Sequence, residues 1–261
     1  MKQSYSPVKT IYKAFRLLEI LGERESMSGS EFAQELKLTR SNVYRFLATL
    51  QQLGYLEKTH DSRYRGSFKI FKLANAVLRR RNISDIAHSY MIQLAAISQE
   101  NVNLGVISDG KVLYLDKIES PHYLKLDQPI GGTDPLYCTA LGKTLLSGFT
   151  DLELNDFLKS SKLIPYTKKT IIDREMLVSV VREVRRRGFV TDLEELSDGV
   201  HCIAAPIHDR TNMVIAAISI SGPAVHLTRR KMVALKTPLI ETSIEISKKM
   251  GCEDFGKSDS I

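Results

Sequence analysis

The chain has 261 residues, enough for one large domain or two ordinary ones, each with a real hydrophobic core. Apolar residues are 43% and charged residues 26%, which excludes a disordered or fibrous chain, and no apolar run reaches the ~20 residues of a membrane helix. The net charge of +7 is uneven: residues 1–81 hold 16 Lys and Arg against 7 Asp and Glu, whereas residues 82–261 hold 21 against 23. A small basic segment joined to a larger, nearly neutral one suggests a polyanion-binding module attached to a body that does other work. The polar start, Met1 to Thr10, is unlike a signal peptide, and Cys138, Cys202 and Cys252 stand far apart in no CxxC spacing. A cytoplasmic protein with reduced thiols and no membrane partner is expected.

From Val8 to Gly22, Ile11, Ala14, Phe15, Leu17, Leu18 and Leu21 recur at helical spacing. Ser28-Gly29-Ser30 caps a short second helix, Glu31 to Leu36, with Phe32, Ala33 and Leu36 inward. Thr39 caps a third helix running to Leu53, with Val43, Phe46, Leu47, Leu50 and Leu53 as its buried stripe. The Lys37-Leu38 connection is short enough to predict a helix-turn-helix. Two β-like runs, Tyr55 to Lys58 and Arg63 to Arg65, flank a polar turn at His60-Asp61-Ser62 and read as a wing. In a winged helix-turn-helix the third helix enters the DNA major groove, here presenting Thr39, Arg40, Ser41, Asn42, Tyr44 and Arg45. Arg pairs with guanine and Asn with adenine, while the wing's Lys58, Arg63 and Arg65 suit phosphates. The partner expected from these residues is a double-stranded DNA operator.

The run Thr39-Arg40-Ser41-Asn42-Val43-Tyr44-Arg45-Phe46-Leu47-Ala48-Thr49-Leu50, followed by Leu53-Gly54-Tyr55 and Arg63-Tyr64-Arg65-Gly66, resembles the isocitrate lyase regulator (IclR) family of bacterial transcription factors. Asn42 departs from the Thr often found there in the family. Ser67 to Leu78 is too apolar for a free linker and predicts a packed helix ending in Arg79-Arg80-Arg81. The resemblance implies a linker helix shared in dimer contacts, although a fourth core helix of the N-terminal module fits the residues equally.

Beyond it, a helical pattern runs from Ile83 to Glu100. Strand-like runs follow at Val102 to Ser108 and Val112 to Ile118, around the hairpin signal Asp109-Gly110, and at Tyr123 to Leu126. Helices are predicted near Thr139 to Leu146, Asp151 to Leu158 and Asp173 to Arg187, strands at Phe189 to Leu193, Val200 to Ile207 and Val214 to Ser221, and a closing helix from Thr228 to Met250. Strands at both ends of a helical middle indicate an α+β domain with an antiparallel, GAF-like sheet. The predicted organisation is a winged helix-turn-helix over 1–66, a linker helix over 67–81 and an effector-binding and oligomerisation domain over 82–261.

Four blocks look like the family's effector-domain signatures, in order: Pro135-Leu136-Tyr137-Cys138-Thr139-Ala140-Leu141-Gly142-Lys143, Arg187 to Glu195, Gly199-Val200-His201-Cys202-Ile203-Ala204-Ala205-Pro206, and Ser219-Ile220-Ser221-Gly222-Pro223. The resemblance covers about residues 8–250 and implies that Ala140, Leu141, Asp192, Cys202, Ser219 and Ser221 bind the effector, a small organic acid such as a sugar acid or 2-oxo acid. It also implies a homodimer or tetramer. On the residues alone, Thr139 caps a helix whose first amides suit a carboxylate, and Ser219 and Ser221 share a strand face.

Enzymatic chemistry finds little support. His201 and Cys202 are adjacent in a strand and point to opposite faces, so they cannot form a thiol–base dyad, and no G-x-S-x-G elbow is present. The six histidines, at 60, 88, 122, 201, 208 and 226, show no H-x-x-x-H or H-E-x-x-H spacing, so no catalytic residue, cofactor or metal is expected. The competing reading is a stand-alone small-molecule-binding or enzymatic α+β domain whose basic N-terminal module binds RNA or protein.

Overall fold

The computed structural model describes residues 8–73 and 83–253. The chain divides into two compact units, residues 1–81 and 82–261.

The first unit begins with α1 (Lys9–Gly22), α2 (Gly29–Glu35) and α3 (Arg40–Gln52). Ser28 and Glu31 form a reciprocal capping box at α2: the Ser28 amide donates to Glu31 at 2.6 Å and the Glu31 amide to Ser28 Oγ at 3.3 Å. Lys37 adopts a left-handed φ of 51°, which lets the Leu38 amide reach back to the Ala33 carbonyl (3.0 Å) and turns the chain sharply into α3. Leu17, Phe32, Val43 and Leu47 are fully buried among Met27, Leu50, Leu56 and Tyr64. The wing is an antiparallel hairpin of β1 (Leu56–Lys58) and β2 (Tyr64–Gly66), and Met27 bridges to Tyr64 at its edge. Residues 68–73 are helical (α4), and the Ser67 amide and Lys69 Nζ tie this start to Tyr55 O and Leu53 O. Residues 74–82, with most of the C-terminal half of the predicted linker helix and its arginine triplet, lie outside the described residues.

The second unit is one six-stranded antiparallel sheet in the order β5-β4-β3-β8-β7-β6. Its elements run α5 (Ile83–Ser98), β3 (Asn101–Ser108), β4 (Lys111–Ile118), β5 (Thr133–Pro135), α6 (Ala140–Leu146), α7 (Asp151–Ser160), α8 (Arg174–Arg187), β6 (Val190–Leu193), β7 (Val200–His208), β8 (Val214–Pro223) and α9 (Arg229–Lys249). Asp109 and Gly110, both at positive φ, make the tight turn between β3 and β4. Strand alternation sends Val102, Leu104, Ile203, Ala205, Ile218 and Ile220 to a core with α5 and α9. The opposite face gives Ala204 and Ala217 to a second core with α6, α7 and α8. That alternation also puts Asn103, Cys202, Ser219 and Ser221 on the α6 side, where β8 pairs Ser219 with Asn103 and Ser221 with Cys202.

The expected strand at Tyr123 to Leu126 is not formed; these residues are a bend and loop, and the strand that pairs with β4 is Thr133–Pro135. Tyr123 and Leu124 project into solvent, and Asn101 Nδ2 donates to the Leu126 carbonyl (2.8 Å), so a side chain takes the bond a neighbouring strand would have made. No helix among the described residues is long and apolar enough to cross a membrane.

Candidate nucleic-acid interface and ligand cavity

On α3, Thr39 is the N-cap and accepts from the Asn42 amide. Burying Val43, Leu47 and Leu50 leaves Arg40, Ser41, Asn42, Tyr44 and Arg45 exposed over the first two turns. None of the five lies in the buried core of the unit, and α3 has no acidic residue in its first turn to repel a phosphate.

The three wing residues differ. Lys58 is exposed, with Nζ 5.9 Å from the centre of the Tyr64 ring. Arg65 is exposed and pairs across the hairpin with Glu57 at 3.0 Å, a contact that water and salt weaken. Arg63 is half-buried and committed inward: Nε donates to Ser26 Oγ and Nη2 to Ser26 O, both at 3.0 Å, and the guanidinium pairs with Glu31. Its donors brace the wing against the start of α2, which leaves Lys58 and Arg65 as the more exposed cations of the wing.

In the second unit, Ala140, Leu141, Asp192, Cys202, Ser219 and Ser221 all line one cavity of about 210 Å³. Ala140 and Leu141 open α6, whose cap Thr139 accepts from the Gly142 amide (3.0 Å), and first-turn amides have no acceptor within their own helix. The cavity adds residues the sequence reading missed. Asn103 on β3 donates from Nδ2 to Ser221 Oγ (2.9 Å) and contacts Ser219 Oγ (3.4 Å), while its Oδ1 is buried without a hydrogen-bond partner. Tyr114 on β4 donates its hydroxyl to Asp134 (2.8 Å). The signal for Asn103 is a polar residue between the core positions Val102 and Leu104; Tyr114 carries no such mark in the sequence.

Beneath the lining, the ammonium of Lys143 pairs with Glu195 and donates to the Thr191 carbonyl (3.2 Å), with both side chains almost completely buried. Asp192 accepts from the Glu195 amide (2.8 Å). Burial pushes the Asp192 carboxyl up to about 6, opposed by the positive charge of Lys143 and that amide bond. Burial also raises Asp134, partly offset by the Tyr114 hydroxyl. Both carboxyls therefore hold their protons to higher pH than an exposed carboxyl does, and both accept hydrogen bonds here, Asp134 from Tyr114 and Asp192 from the Glu195 amide.

Thiol chemistry is not prepared. Burial, with Asp192 nearby, pushes the Cys138 thiol up to about 12 and Cys202 well above its ordinary value, so neither is held as the nucleophilic thiolate. His201 Nδ1 donates to the Leu227 carbonyl (2.8 Å), on the sheet face opposite Cys202.

A helix-turn-helix with a basic exposed second helix, joined to a sheet domain with an internal polar cavity, defines a DNA-binding regulator with an effector domain. The family comparison agrees on both parts: residues 10–60 match the IclR helix-turn-helix domain and residues 75–248 match the C-terminal domain of bacterial transcriptional regulator IclR. The chain belongs to the IclR family of bacterial transcriptional regulators.

It is 32% identical over 249 residues to the HTH-type transcriptional regulator KdgR of Escherichia coli, covering 95% of both chains. It is 29% identical to the transcriptional repressor IclR of the same organism, covering 94% of this chain and 90% of that one. The crystal structure of Thermotoga maritima IclR superposes with a TM-score of 0.78 at 32% identity, covering 94% of this chain and all of that one. An IclR homologue from Microbacterium hydrocarbonoxydans, solved with 4-hydroxybenzoate, shares the fold with a TM-score of 0.83 at 21% identity, covering 92% and 98%. These named relatives are regulators rather than enzymes.

Proposed function

We propose that α3 reads an operator in the major groove and that a small hydroxylated organic acid entering the C-terminal cavity changes operator occupancy. The reading rests above all on the meeting of Ala140, Leu141, Asp192, Cys202, Ser219 and Ser221 on one cavity. The amides of Ala140 and Leu141 suit a carboxylate, and the Asn103, Ser219 and Ser221 group suits hydroxyls elsewhere on the same molecule. A volume of about 210 Å³ is below the ~300–1,000 Å³ of drug-sized sites, which favours a metabolite of sugar-acid or 2-oxo-acid size. Asp192, raised to about 6, takes up a proton more readily than an ordinary carboxyl, so the cavity accommodates a charged acid better as pH falls toward 6.

Titrating such acids against a fluorescent operator obtained by binding-site selection tests the reading. A coupling of about 1–3 kcal/mol appears as a 5- to 150-fold change in operator affinity. Ser221→Ala is expected to bind the operator as the parent protein does and to ignore the acid. A Ser221→Ala protein that still responds fully removes the cavity from the mechanism.

The regulator acts as a homo-oligomer in this proposal, because paired half-sites raise both affinity and specificity. The N-terminal unit supports it with exposed Ile11, Tyr12 and Phe15 on α1 and Phe68 and Phe71 on α4, more apolar surface than a solitary helix face needs. Sedimentation should show a species above monomer mass, and a strict monomer at operator-binding concentrations sinks this part.

A further inference from the structure

Away from the cavity lining, three residues from three separate segments converge: Glu100 before β3, His122 in the loop after β4, and His226 in the turn before α9. One ligand atom from each lies within 4.8 Å of the other two. The imidazole rings of His122 and His226 are 4.5 Å apart at their centres. Glu100 is completely buried, and its carboxylate lies so close over the β8 backbone that any side chain larger than a hydrogen at Gly222 would collide with it. Lys231 Nζ donates to Glu100 Oε1 at 2.6 Å. The other oxygen, Oε2, and the Nδ1 of His226 are buried and have no hydrogen-bond partner.

Two orphaned, buried acceptor-capable atoms facing the same point are costly to keep in a folded protein without a partner for them. We infer that Glu100, His122 and His226 form a binding site for a divalent transition metal of the zinc class. Two imidazole nitrogens and one carboxylate oxygen are a recurrent zinc donor set, and they leave one coordination position open. Tetrahedral zinc holds such ligand atoms about 3.3 Å apart, so the trio needs to tighten. His122 supplies the movement, being on an exposed loop, while Glu100 is fixed by burial. Lys231 occupies the oxygen that the metal does not use, in the manner of the outer hydrogen bonds that orient ligating carboxylates. Spacing rules miss this site because its ligands are 22 and 104 residues apart.

The loop that carries His122 continues through Leu126, Asp127 and Gln128, which form part of the cavity rim. A metal held here fastens that loop to the end of β8, the strand that bears Ser219 and Ser221. The site does not depend on the effector reading, and its test uses no effector.

The full-length protein, stripped with chelator and dialysed, is titrated with Co2+ and with Zn2+. One metal per chain, the visible absorption bands of four-coordinate Co2+, and slower amide exchange in residues 119–128 on adding zinc are expected. His122→Ala and His226→Ala should each weaken binding at least tenfold and abolish the exchange effect, with the far-ultraviolet circular dichroism of the parent retained. Ser221→Ala should bind metal normally. Binding that is undetectable in the parent protein, or equally strong in the double variant His122→Ala/His226→Ala, overturns the site; because neither histidine belongs to a core cluster, misfolding does not mask the result.

Discussion

The residues proposed to meet DNA, Arg40, Asn42 and Tyr44, stand in water on a single helix, whereas Asp192, Ser219 and Ser221 are 3%, 2% and 6% exposed and come from two strands of a sheet. Exposed cations cost no desolvation, act over a Debye length and lose strength in salt. A buried carboxyl beside buried hydroxyls carries a standing desolvation cost, which only partners of matched geometry offset. The first arrangement suits a long polyanion found by diffusion. The second suits discrimination among small molecules that differ by one hydroxyl. A regulator needs both, and each unit supplies one.

The sharpest way to break this comparison is to remove a charge from each unit. Lys143→Met leaves Glu195 buried and unpaired and should cost the C-terminal unit about 3–5 kcal/mol, read as a lower urea midpoint. Arg65→Ala, which frees the exposed Glu57, should change stability by at most about 1 kcal/mol. Equal losses from the two would mean that the burial difference does not govern the energetics.

Next in size is Asp192→Asn. A folded-state carboxyl raised to about 6 contributes stability that is fully present below its ordinary value of 3.8 and is lost as pH rises through 6. The Asn variant should therefore be about 1–3 kcal/mol more stable than the parent at pH 8 and should lose that advantage near pH 4. Chemical denaturation across this range checks it, and a parallel pair of pH profiles would show that burial does not perturb Asp192.

On the exposed side, Arg40→Ala and Asn42→Ala should each cost about 1–3 kcal/mol of discrimination at one base pair, measured by repeating binding-site selection. The smallest effect is that of Arg65→Ala on DNA. It should weaken all sequences alike and reduce the slope of log affinity against log salt by about one unit, since a phosphate contact carries no base information. Arg63→Ala should differ from it by lowering thermal stability, because Arg63 braces Ser26 and Glu31.

The exposed site was more fully legible in the sequence than the buried one, for a physical reason. A helix declares its faces within two turns: once Val43, Leu47 and Leu50 are assigned inward, Ser41 and Arg45 must face out, while Arg40 is exposed because it opens the helix ahead of the buried stripe. Even so, exposure alone did not reveal that Arg63 spends its donors inside the unit, because Ser26 lies 37 residues away. In the sheet domain the hairpin turn at Asp109-Gly110 and the α3 and α6 caps were local and readable, and strand alternation put Ser219 and Ser221 on one face. Asn103 and Tyr114 join the cavity only through strand pairing between β3, β4 and β8; the polar Asn103 between Val102 and Leu104 is a local hint of it, and nothing near Tyr114 announces it. The same holds for the strand expected at Tyr123 to Leu126. Its apolar spacing was real, but Asn101 and Ser120 hold the segment by side-chain bonds, with the Ser120 amide donating to Asn101 Oδ1 at 2.7 Å. Local pattern had no means of weighing that competition.

The outermost strands of the six-stranded sheet are also its shortest, three residues in β5 and four in β6 against eight to ten in the strands between them. β5 ends in Pro135, which has no amide hydrogen to offer. Short and proline-blunted margins give a neighbouring chain almost no ladder to extend, which protects a sheet rich in Val and Ile from growing into a fibre as the protein accumulates in the cell. Helix and loop surfaces carry no such open ladder, so the proposed pairing of copies would fall to them, where register cannot slip by a residue.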